Sequence, residues 1–128
     1  MVCGGDEECN DCYLTISAPD LEIDNNGYYH IDFINSDIQT FTTLKSETGF
    51  YYEKIWWFSN TMHLAQHGTN ENWEYLVNTS SYTNDEGIGH TVFSAWEENI
   101  GDTVKVICTY TDNCNIWYSD SLYIIVNP

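Results

Sequence analysis

The chain predicts an all-β domain, an antiparallel β-sandwich of about seven or eight short strands. Three observations carry that expectation. Short runs alternating apolar and polar residues recur along the chain, separated by Gly, Asn and Asp turn signals, and no stretch holds a long helical period. The 128 residues are 42% hydrophobic and 16% aromatic, enough for one core. Strands with one apolar face need a second sheet to bury it, which favours a sandwich over an open sheet. With two prolines, no internal repeat and no low-complexity linker, one domain over residues 13–128 is expected, preceded by an acidic, Cys-containing arm over 1–12.

The first strand signal is Tyr13 to Ala18, with Leu14, Ile16 and Ala18 on one face and Pro19 as its stop. Asp24-Asn25-Asn26-Gly27 predicts a turn, because Asn and Gly tolerate positive φ. In Tyr28 to Asn35, the residues Tyr29, Ile31 and Phe33 alternate with His30 and Asp32. Gln39 to Leu44 reads as a short edge strand. Phe50 to Ser59 is the most aromatic segment and apolar on both faces, which suits a central strand. Thr61 to Gln66 reads as one helical turn, and Trp73, Tyr75 and Val77 alternate in a further strand. Thr91 to Trp96 follows a break at Gly87-Ile88-Gly89. The clearest alternation sets Val104, Val106, Cys108 and Tyr110 inward against Thr103, Lys105, Thr109 and Thr111 outward. Asp112-Asn113 then turns the chain into a last strand bearing Leu122, Ile124 and Val126.

The segment from Gly101 to Asn113 (Gly-Asp-Thr-Val-Lys-Val-Ile-Cys-Thr-Tyr-Thr-Asp-Asn) resembles the penultimate strand of PKD-like and related immunoglobulin-like modules. Ile125-Val126-Asn127-Pro128 is similar to the end of their final strand, and Trp57-Phe58 falls where such modules carry an aromatic loop motif. Ser59-Asn60-Thr61 replaces the Gly-Asp-Gly of that motif. The resemblance covers about a quarter of the chain. It implies an immunoglobulin-like sandwich serving as a spacer, adhesion unit or glycan binder, and leaves function to be argued from a site.

Twenty Asp and Glu stand against three Lys and no Arg, for a net charge of −17. Such a surface repels phosphate backbones and anionic headgroups, so nucleic acid is excluded as a partner. No apolar run approaches the roughly 20 residues of a membrane-spanning helix. The start, Met1-Val2-Cys3-Gly4-Gly5-Asp6-Glu7-Glu8, resembles that of a mature bacterial lipoprotein, in which Cys3 would carry the lipid anchor and Met1 would not be native. An extracytoplasmic protein, on the cell surface or secreted, is expected. Setting Cys3 aside leaves Cys9, Cys12, Cys108 and Cys114, which suffice for two disulfides in an oxidising compartment and allow three connectivities. Four thiolates could alternatively hold zinc, but the spacing from Cys108 to Cys114 is loose for a zinc knuckle.

Catalytic patterns are thin. His63 and His67 stand four apart without the Glu of a metalloprotease motif, and Glu97-Glu98 are strand neighbours that would face apart. Glu71 with Glu74 and Asp85-Glu86 read as solvated loop charges; no nucleophile elbow or phosphate-binding Gly loop occurs. The chain is therefore read as a non-catalytic binding or adhesion module, monomeric, with a metal-dependent or glycoside hydrolase as the remote alternative. No cofactor is implied beyond Ca²⁺, for which Asp24, Asn26, Asp85 and Glu86 offer clustered turn oxygens without EF-hand spacing. The aromatic excess is the most suggestive feature. Trp56, Trp57, Trp73, Trp96 and Trp117, with Tyr51 and Tyr118, are the candidate ligand-binding residues. They would stack on the C–H faces of sugar rings, or anchor a protein partner, for which a basic one fits the charge.

Overall fold

The computed structural model describes residues 13–32, 39–49, 52–60, 64–67, 73–76, 78–111 and 115–128. Eleven strands lie among them. They are β1 (Thr15–Ser17), β2 (Glu22–Ile23), β3 (Tyr29–Asp32), β4 (Gln39–Glu47), β5 (Lys54–Ser59), β6 (Leu64–His67), β7 (Trp73–Leu76), β8 (Asn78–Tyr82), β9 (Ile88–Trp96), β10 (Thr103–Thr111) and β11 (Trp117–Asn127). A five-stranded sheet has the order β1-β4-β9-β6-β7, and a six-stranded sheet the order β2-β3-β11-β10-β5-β8. The all-β, two-sheet expectation holds. The strand number rises above the expected seven or eight, and the pairing is not wholly antiparallel, because β3 runs parallel to β11 with Ile31 opposite Val126.

The core lies between the sheets. Leu44, Leu64 and Phe93 reach it from the five-stranded sheet, and Ile55, Trp57 and Ile124 from the six-stranded one. The alternation expected for β10 is present, with Val104, Val106, Cys108 and Tyr110 buried. Thr109 is buried as well, although it faces outward, where its register neighbours are Trp56 and Ser119. Polar contacts also tie sheet to sheet. The Ile16 N–H of β1 donates to the Asp120 carboxylate of β11 at 3.0 Å, and Ser46 Oγ of β4 lies 3.6 Å from Cys108 Sγ of β10.

Three expectations are corrected. Gln39–Leu44 is no short edge strand but part of the nine-residue β4, which sits inside its sheet between β1 and β9. Its inward positions include Thr42 and Ser46 beside Leu44, so hydroxyl-bearing residues blur the apolar alternation. The helical turn expected over Thr61 to Gln66 gives way to β6, whose residues Leu64–His67 pair with β7 and whose Leu64 and Ala65 also pair with β9. Gly89 is no break; it lies within β9. The Asp24–Gly27 turn is as expected. Asp24 Oδ1 accepts the N–H groups of Asn26 and Tyr28 at 2.8 and 3.0 Å, and Gly27 takes φ +86°.

Of the disulfide candidates, Cys108 is a buried free thiol pointing into the core, where burial pushes its pKa up to about 11. Cys9, Cys12 and Cys114, like Cys3, lie outside the described residues. A thiolate is the reactive species, so Cys108 is expected to resist alkylation at pH 8 in the folded protein and to react once denaturant is added. Peptide mapping of carbamidomethylated protein with and without urea checks this.

Candidate functional site

Sequence alternation leaves β5 with two apolar faces, and the structure assigns each. Ile55 and Trp57 point into the core, and the Trp57 Nε1–H donates to Ser81 Oγ at 2.8 Å. Lys54, Trp56 and Phe58 therefore face outward, where Trp56 is 43% exposed. The pairing registers extend this outer face across the sheet. On one side of β5, Ser80 of β8 stands opposite Trp56, and Tyr82 opposite Lys54. On the other, Thr109 of β10 is opposite Trp56, and Ile107 is opposite Phe58. Beyond β10, Ser119 and Ser121 of β11 face Thr109 and Ile107, and Trp117 faces Thr111. Trp117 is 66% exposed.

Ring contacts order part of this surface. Tyr52 and Tyr82 stack with centroids 4.6 Å apart and planes 16° from parallel. Lys54 Nζ lies 4.2 Å from the centroid of Trp56 and 5.9 Å from that of Tyr82, where the ring quadrupole attracts the ammonium. Further along the same face, Lys105 Nζ lies 5.7 Å from the Tyr123 ring, which also packs on Tyr28 at 5.3 Å. Two of the three lysines of the chain thus sit against aromatic rings of one sheet face.

The sequence candidates separate accordingly. Trp56 and Trp117 share the outer face of the six-stranded sheet, whereas Trp57 is a core residue. Tyr118 is half-buried, stacked at 5.9 Å on buried Tyr110. Trp96 ends β9 in the other sheet, half-buried, its backbone N–H donating to Asn99 Oδ1 at 2.8 Å. Trp73 begins β7, also in the other sheet; its side chain and Tyr51 lie outside the described residues. Phe58 and Lys54 are members of the face that residue-type reasoning passed over. Once Trp57 is known to be inward, the period of two places them outside with Trp56.

The calcium candidates fall in two separate turns. Asp24 and Asn26 belong to the β2–β3 turn at one edge of the six-stranded sheet, and Asp85 and Glu86 to the turn that leads from β8, at its other edge, to β9 of the five-stranded sheet. In the second turn Asn84 Oδ1 accepts the N–H groups of Glu86 and Ile88 at 2.9 and 3.1 Å. The second oxygen of Asp24 is taken by His30 Nε2 at 2.8 Å. Asn127 continues this chain, with its Oδ1 3.3 Å from His30 Nδ1 and its Nδ2 donating to Asp32 Oδ1 at 2.8 Å. The hydrogen bond to Asp24, then that to Asn127, raises the His30 pKa above 6.5, and the bond from His30 lowers that of Asp24 below 3.8.

The raised His30 pKa gives a contribution fully present below pH 6.5 and lost as pH rises through the folded value. The lowered Asp24 pKa gives one present above pH 3.8 and lost as pH falls through its folded value. The pair therefore stabilises most between those limits. His30→Gln is expected to flatten the decline in Tm between about pH 6 and 8, read by thermal melts across a pH series.

The fold and this face define the class: an all-β protein of two packed sheets, with an open aromatic surface on the larger one. No protein-family model matches the chain, and no curated protein matches it. Among solved structures, it is similar to the sporulation control protein Spo0M of Bacillus subtilis, at 15% identity and a TM-score of 0.38. That likeness covers 91% of this chain and 49% of the Spo0M chain, so the chain spans about half the length of that structure. Among the described residues no helix is long and apolar enough to cross a membrane.

Proposed function

We propose that the chain is a non-catalytic extracytoplasmic binding module of immunoglobulin-like fold, held at a cell surface by a lipid on Cys3, and that it binds a glycan. The observation that carries the reading is the exposed aromatic set on the outer face of the six-stranded sheet: Trp56, Phe58, Tyr82 and Trp117. Exposed aromatics gathered on one open face offer a surface of the kind that sugar C–H groups pack against. The exposed Ser80, Ser119 and Ser121 occupy register positions among them and offer hydroxyls to a sugar. Polysaccharide-containing native gels test it. Retardation relative to a gel without polysaccharide supports the reading, and Trp56→Ala is expected to weaken it about fivefold, the equivalent of one aromatic contact of about 1 kcal/mol. Unchanged mobility across a broad panel of glycans would sink it.

The net charge of −17 favours a second reading, a basic protein partner docked on the same aromatics. Association of that kind weakens steeply with added salt, whereas stacking on sugar rings does not.

A further inference from the structure

The glycan reading can be taken further, to the class and course of the chain that is bound. We propose that the ligand is an uncharged, extended glycan lying across the strands, from Tyr52 and Tyr82 at the β8 edge, past Trp56, to Trp117 on β11. This rests on the glycan-binding function proposed above.

The course follows from register. Tyr82 lies on β8, Trp56 on β5 and Trp117 on β11, with β10 between the last two. Three strand spacings of about 4.8 Å put Tyr82 and Trp117 about 14 Å apart across the sheet. Trp56 lies between them, two residues further along the strands. A track of that length accommodates several sugar rings in a row and is too long for a single one. Ser119 of β11, exposed and level with Trp56 through Thr109, supplies a hydroxyl along it.

Tyr52 supplies an independent observation. Its backbone sits at φ +58°, a left-handed conformation that is unusual and strained for a bulky non-glycine residue. The Tyr52 N–H donates to the Thr83 carbonyl at 3.0 Å and the ring stacks on Tyr82, yet the side chain remains 63% exposed. Core burial therefore does not account for an aromatic residue at this position. Presentation of its ring at the end of the track does.

Charge selects the ligand class. The chain has no Arg and carries −17, and the two lysines of this face are already placed against Trp56, Tyr82 and Tyr123. A uronate or sulfate group would meet a repulsive field without a bidentate clamp. An uncharged chain meets neither penalty, and its contacts with aromatic faces persist in salt.

The test is native-gel retardation on hydroxyethylcellulose, galactomannan and mixed-linkage β-glucan, with alginate and heparin in parallel, at low salt and at about 0.5 M NaCl, where charge is screened within a few ångströms. Retardation by at least one neutral polysaccharide at both salt concentrations is expected, with none by the anionic pair. Trp117→Ala and Tyr52→Gly are each expected to weaken it about fivefold. Tyr52→Gly should do so without lowering Tm, because glycine adopts the left-handed backbone freely. Phe41→Ala, an exposed aromatic on β4 of the other sheet, is expected to bind as the parent does. Retardation by anionic glycans only, or a loss confined to Trp56→Ala with Trp117→Ala and Tyr52→Gly unaffected, overturns this inference and leaves glycan binding standing. Absence of retardation on every glycan overturns both.

Discussion

Trp57→Ala is expected to cost about 3–5 kcal/mol of folding free energy, the largest loss from any single side chain on β5. The indole is fully buried between the sheets, and its Nε1–H is held by Ser81 Oγ at 2.8 Å. Truncation removes the transfer free energy of the largest side chain in the core and leaves a cavity that a two-sheet interior closes poorly. It also strips a hydrogen bond from Ser81. In a domain of this size the loss lowers Tm by on the order of 10–15 °C, a large share of the about 5–15 kcal/mol that such domains possess. Trp56→Ala, one residue away, is expected to stay within about 1 kcal/mol of the parent, because its ring is on the open face. Urea titrations of the two variants check the contrast through their midpoints at constant slope. Equal losses would mean that the inward and outward assignments on β5 are wrong. If Trp57→Ala does not fold, Trp57→Phe keeps most of the apolar bulk and gives a smaller loss that still exceeds that of Trp56→Ala.

That pair of tryptophans shows where the sequence stops being legible. In Ile55-Trp56-Trp57-Phe58 the two faces are equally apolar, so a period of two shows that Trp56 and Trp57 diverge without saying which is inward. In β10 the outward set is Thr and Lys, and the assignment could be made from residues alone. Of the strands, β4 reads too short and β8 not at all, and both bury hydroxyls. Thr42 and Ser46 on β4 and Thr79 on β8 are inward and buried, so their segments look polar on both faces. The β8 run Asn78-Thr79-Ser80-Ser81-Tyr82 gave no strand signal at all, yet it pairs along β5 and completes the aromatic face. The parallel pairing of β3 with β11 joins residues almost a hundred positions apart, and no local pattern encodes it. The face itself was half legible. An excess of Trp and Tyr pointed to a surface role, but only register shows that Trp56 and Trp117 share a side and that Trp96 does not. The left-handed backbone of Tyr52 has no residue-type signal, since positive φ is ordinarily read from Gly or Asn.

Gly89→Val is expected to destabilise the fold by about 1–3 kcal/mol, although valine is the better strand former. Gly89 is buried within β9, and a Cβ built there would lie 3.3 Å from Ser81 Oγ and 3.5 Å from Ile55 Cγ1. Both neighbours belong to the opposite sheet, so Gly89 is a point of close approach between the two sheets. The contact with Ser81 is tight, and Ser81 is not at liberty to yield, because its hydroxyl oxygen accepts the Trp57 indole N–H. A branched side chain at position 89 must displace either the sheet or that hydroxyl, and displacing the hydroxyl unpairs a buried donor. The three residues therefore act as one unit, and their substitutions should not add. Ser81→Ala removes the atom nearest the new Cβ and the acceptor of the indole at once. In its background, Gly89→Val is expected to cost at least about 0.5 kcal/mol less than it does alone, a coupling read from a double-mutant cycle of urea midpoints. Strict additivity would place the strain on Ile55 and the backbone instead, and would remove Ser81 from the account of why this strand position is glycine.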